Sequence, residues 1–355
     1  MKNRITSAVA LVIFSVSLVA TTLLSQLFAT ETSSNLKTGL AISTSLTDSK
    51  DATTEDGHNT TAITVAAVTV DERGIVVACK IDAIDTSINF NTSGEITSDL
   101  TADVLTKKEQ GFDYGMTAEW NDANTIGKEW FEQVAEFEKY CIGKTAEQIL
   151  SISVNSETGK PEDEILAAGC TMHPGNFQYV VAEAINNATA TGANKDDSLG
   201  LAISTKLNDS KNANPTPEEG QSENGLAEVA VTVAATTVNS NGKVTSLVID
   251  AVQAQVEFDK TGMIVTDLTA DILTKKEKGD AYGMAADWNT ANTIGKEWFE
   301  QVAAFEKYCI NKNAEQITGI AVNPDTGYVD DLASSCTMHP GNFQYVVAEA
   351  IKNAN

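Results

Sequence analysis

The run Cys-Thr-Met-His-Pro-Gly stands at Cys170–Gly175 and again at Cys336–Gly341, opening identical stretches that end at Ile185 and Ile351. A thiol, a hydroxyl and an imidazole ahead of a Pro-Gly turn and an apolar periodic run allow several chemistries. They are a disulfide, a metal site, attachment of a cofactor to the hydroxyl, or a rigid turn. The cysteines are Cys79, Cys141, Cys170, Cys309 and Cys336, and all but Cys79 fall at repeat-equivalent positions. In an oxidising compartment the natural pairing is one bridge per copy, Cys141–Cys170 and Cys309–Cys336. Each would close a loop of about 30 residues and stabilise by roughly 3 kcal/mol on chain-entropy grounds. Unbridged buried thiols are the alternative. Cys79, matched by Leu247, reads as a small buried strand residue.

Cys141, Cys170 and His173 could supply three metal ligands, as could Cys309, Cys336 and His339, but no convincing fourth ligand stands near them. No metal site is assigned. The sequence has no Gly-x-Ser-x-Gly elbow, no Gly-x-Gly-x-x-Gly and no P-loop, so no catalytic residue is assigned either. The helix start is a different matter. Its free N–H groups and dipole suit a phosphate, which Gly175 or Gly341 and the hydroxyl of Thr171 or Thr337 would complete. The same residues serve equally well as a turn, with the Thr helping to cap it and Pro-Gly setting its geometry.

These residues must be positioned by two copies of one unit. Asp99–Met116 repeats at Asp267–Met284, Asn124–Ile142 repeats at Asn292–Ile310, and "GLAIST" recurs at Gly39 and Gly200. Each copy is about 155 residues, an ordinary single-domain size. The expected domains are 37–185 and 199–355, joined by the small, polar linker 186–198. In copy one "AITVAAVTV", "DERG" and "GIVVACKIDAI" spell a β-hairpin, followed by a third apolar run, "SINF". Ile126, Trp130, Val134, Phe137 and Cys141 share one face of an amphipathic helix. "AEQILSISV" reads as a helical turn and then a strand. "NFQYVVAEAI" closes the copy as a helix with Phe177, Val180, Val181 and Ala184 inward. The fold class is therefore α+β, two tandem domains, each an antiparallel sheet with helices on one face.

Lys2 and Arg4 precede a long uncharged apolar run, so 1–29 is expected to be a signal peptide or a signal anchor. The chain is expected outside the cell or on its surface, touching membrane only through this segment. With 24 basic against 49 acidic residues, a formal charge of −25 and a pI near 4.4, nucleic-acid binding is excluded as a function class.

The hairpin, the "TKxExGxxYGM" segment, "IGKEWxEQ" and the small-residue turn before the last helix together resemble the extracellular FMN-binding domain family of bacterial redox proteins. The resemblance is closest to tandem exported versions from anaerobic Gram-positive bacteria. It implies FMN as cofactor, carried through a phosphoester on the Thr that ends "EILAAGCT" or "DDLASSCT", namely Thr171 or Thr337. Tyr114 and Tyr282, with Trp130 and Trp298, are the aromatics available to stack on the flavin. The family motif has Gly-Ala ahead of that Thr, where this chain has Gly169-Cys170 and Ser335-Cys336. The implied function is a cell-surface electron carrier, with a flavin transferase and surface redox proteins as partners. The alternative is a structural or filament-forming surface protein, self-assembling from repeats that no longer bind flavin.

Overall fold

The computed structural model describes residues 35–118, 124–214, 216–218, 223–286, 289–290 and 292–354. The expected signal segment 1–29 lies outside them. No helix among the described residues is long and apolar enough to cross a membrane.

Copy one opens with β1 (Leu36–Ser45), β2 (Gly57–Val70) and β3 (Val76–Phe90), an antiparallel meander. "SINF" is the far end of β3, not a separate strand. The helices are α1 (Lys107–Gln110), α2 (Trp130–Cys141), α3 (Ala146–Leu150), α4 (Glu164–Ala167) and α5 (Gly175–Asn186). Copy two repeats the plan with β5 (Ser198–Lys206), β6 (Gly225–Val238), β7 (Val244–Phe258), α6 (Lys275–Lys278), α7 (Trp298–Cys309), α8 (Ala314–Thr318) and α9 (Gly341–Lys352). Within the segment read as a linker, β4 (Ala190–Ala193) pairs antiparallel with β1, so the sheets run β3-β2-β1-β4 and β5-β6-β7. The strand expected after "AEQIL" is reduced to an isolated bridge between Val154 and Pro161.

Strand side chains alternate between faces, and here both faces are apolar. In β2, Ala66, Val68 and Val70 face the helices, joining Val134, Phe137 and Val181 in copy one's core. Ile63, Val65 and Ala67 point the other way, into a cluster shared with Val229, Val231 and Val233 of β6. The two sheets thus lie face to face with helices outside, and Asn35–Asn355 is one compact unit. A pseudo-twofold relation runs through this seam. Phe90 stacks on its counterpart Phe258, ring centroids 4.1 Å apart and 3° from parallel. The Ala52 N–H donates to the Gly262 carbonyl and the Ala213 N–H to the Gly94 carbonyl, both at 2.8 Å.

"GLAIST" has a packing reason. A Cβ on Gly39 would lie 1.9 Å from the Ala184 carbonyl oxygen, and one on Gly200 would lie 1.9 Å from that of Ala350. Only glycine lets the closing helix rest directly on the first strand of each copy.

Candidate functional site

The turn carrying Thr171 is fixed from α2. Gln133 is fully buried, and its Oε1 accepts the Thr171 N–H at 2.9 Å and the Thr171 hydroxyl at 3.3 Å. Its Nε2 donates to the Lys128 carbonyl at 3.0 Å. Copy two repeats this: Gln301 accepts from Thr337 N and Oγ1 at 2.9 and 3.4 Å and donates to the Lys296 carbonyl at 2.9 Å. A buried amide must find partners for both ends. Here one end holds the turn and the other holds the approach to its own helix.

The Thr does not cap the closing helix. α5 starts after Pro174 with no side-chain bond from that N-cap residue, and the Gly175 N–H donates to His173 Nδ1 at 3.0 Å. In copy two Gly341 donates to His339 Nδ1 at 3.2 Å. The imidazole therefore takes the helix-start N–H that an anion would use. Gly175 is needed for this, because a Cβ there would stand 2.8 Å from the His173 ring.

Tyr114 ends a short 3-10 turn, Gly111–Tyr114, and faces a lysine. Lys107 Nζ sits 5.1 Å from the Tyr114 ring centre and 5.7 Å from that of Trp130, and pairs with Asp85 Oδ2 at 2.6 Å. Lys275 lies 4.9 Å from Tyr282 and 5.7 Å from Trp298. These are cation–π contacts. Trp130 and Trp298 are core residues, set edge-on to Phe177 and Phe343 at 6.2 Å.

All five cysteines are buried and carry free thiols. Burial pushes Cys170 up to about 11 and Cys309 up to about 12, so both are protonated and poor nucleophiles at neutral pH. Among the described residues no three of His, Cys, Asp and Glu converge as a metal site, so Cys141, Cys170 and His173 are not gathered into one ligand set.

Sequence reasoning missed Gln133 and Gln301, the histidine acceptors and a duplicated buried ionic cluster. The cluster joins strand, α1 and α2. Glu138 Oε1 accepts the Ile81 N–H and pairs with Lys108 Nζ, both at 2.6 Å. Asp82 Oδ1 accepts the N–H groups of Ala83 at 2.8 Å and Lys108 at 3.2 Å. Glu306, Lys276 and Asp250 make the same set in copy two. Burial raises Asp82 and Asp250 to about 6, against the opposing pull of the nearby lysine. Asp82 and Lys108 also line a 250 Å³ cleft between the copies, with Lys80, Tyr345 and Glu349. The recurring "ID" of each hairpin and the lysine of "LTKKE" were the available signals.

Comparison with family models, curated proteins and solved structures gives no match in any of the three.

Proposed function

We propose that the protein is a structural component of the cell surface, exported through its N-terminal hydrophobic segment, whose two copies act as one fused building block. The observation that carries this reading is the duplicated Gln–Thr–His arrangement. The Thr171 hydroxyl and N–H stand at the expected flavin attachment point, and the Gly175 N–H opens the helix beside it. All are used within the chain, and Thr337 and Gly341 repeat the pattern. As they stand, these residues do not fit a flavin phosphate. An ester on the Thr would remove the hydroxyl's donation to the buried glutamine, and a phosphate at the helix start would have to displace the histidine from the glycine N–H, each a lost hydrogen bond of about 0.5–1.5 kcal/mol.

The electron-carrier reading is tested directly against this one. The full chain is co-expressed with a flavin transferase, purified, and read by absorbance and intact mass. Colourless protein of unmodified mass is expected. Yellow protein with FMN mass on Thr171 or Thr337 would overturn the structural reading and establish the redox one.

A further inference from the structure

Cys79, the cysteine without a counterpart, stands opposite Cys141. On β3 it lies between Val76 and Ile81, and on the α2 side Cys141 lies between Glu138 and Gly143. Backbone and side-chain bonds lock these brackets together. The Gly143 N–H donates to the Val76 carbonyl at 2.8 Å, the Val76 N–H donates to the Lys144 carbonyl at 3.0 Å, and the Ile81 N–H donates to Glu138 at 2.6 Å. Both cysteines belong to the helix-side core of copy one, 6% and 0% exposed. Cys141, ahead of burial, drives the Cys79 thiol well above its ordinary range. Cys170 instead meets the Met172 N–H and the field of Lys128.

Copy two supplies an internal control. The same brackets are present, Val244 bonded to Asn311 and Lys312, and Ile249 to Glu306. Leu247 fills the place of Cys79, so Cys309 meets no thiol there.

We propose that Cys79 and Cys141 are a cross-linking pair, joined when the chain folds in the presence of a thiol–disulfide oxidant, and that copy two carries no bridge. In that step the two thiols lose two protons and two electrons and one S–S bond forms. The oxidant's own disulfide takes up those electrons and protons and leaves as two thiols. Because both sulfurs are buried, exchange proceeds while the chain is still open and not on the folded surface. The inference goes beyond the structural reading and does not depend on it, since the oxidant can be supplied in solution.

The test is refolding of the reduced full chain in oxidised and reduced glutathione. Free thiols are then alkylated in denaturant and the digest is mapped by mass spectrometry without reduction. The expected result is a Cys79 peptide joined to a Cys141 peptide, with Cys170, Cys309 and Cys336 alkylated. A Cys141–Cys170 or Cys309–Cys336 link, or alkylation of all five, would overturn the proposal. A second arm uses Cys79→Leu, the residue that copy two already accommodates. Adding reductant should lower the thermal midpoint of the oxidised wild type by about 5–10 °C and leave the variant unmoved. An equal drop in both proteins would also overturn it.

Discussion

Copy one and copy two use the same backbone to different ends. The Gln–Thr–His arrangement and the Asp–Lys–Glu cluster recur with distances matching to a few tenths of an ångström or better. Besides β4, which only copy one's sheet carries among the described residues, a short run of β3 changes. Cys79, Lys80 and Asp85 of copy one correspond to Leu247, Val248 and Gln253 in copy two. Copy one thereby gains a thiol pair, a lysine at the cleft and an acid for Lys107. In copy two Gln253 turns instead to the buried Glu228, donating at 2.8 Å. Features shared by both copies belong to the scaffold, and features of one copy are where separate roles have room to arise.

The largest expected effect breaks the seam between the copies. Phe90→Ala and Phe258→Ala each empty half of a fully buried stack, and each should destabilise the whole chain by about 3–5 kcal/mol in urea unfolding. Near-equal values would mark a shared core, whereas a loss confined to one variant would mark two independent ones. Next, Gln133→Leu and Gln301→Leu should each cost about 2 kcal/mol, because the Thr N–H is left without its acceptor. Circular dichroism melts of the two variants should coincide if the arrangement serves the fold alike in both copies.

A smaller effect concerns pH. Burial raises Asp82 and Asp250 to about 6 in the folded chain, above the value of about 4 for an unfolded aspartate. The folded state then binds more protons across that interval, so these groups favour folding most below pH 4 and lose that contribution as pH rises through about 6. Asp82→Asn and Asp250→Asn should each flatten this trend, by about 1–3 kcal/mol between pH 4 and 7 relative to wild type. Unchanged slopes in chemical denaturation would remove the buried-acid assignment. The smallest effect separates the copies. Lys107→Met should cost about 0.5 kcal/mol more than Lys275→Met, since among the described residues Lys107 holds an acid and Lys275 does not, and Asp85 is half exposed.

The hairpins and the two amphipathic helices could be read from the residues because local rules decide them: "DERG" turns a chain, and Val134, Phe137, Val181 and Ala184 share helical faces. The shared core was written in "AITVAAVTV", where residues of both parities are apolar. A sheet with one solvated face would alternate, so this pattern signals cover on both sides. The polar "DT" before "SINF" hid the continuity of β3, which stays paired with β2 through these residues to Phe90. Gln133 was lost for a related reason. A glutamine beside Trp130 and Val134 reads as solvent-facing until the turn it anchors, distant in sequence, is folded against it.

The most direct measurement of the fused-unit claim is native-state hydrogen exchange on the full chain and on Phe90→Ala. The amides of β2 in copy one and β6 in copy two should lose protection together, by the same free energy, although the substitution lies in copy one alone. Loss of protection in β2 with β6 unchanged would contradict the claim and make the copies separate bodies.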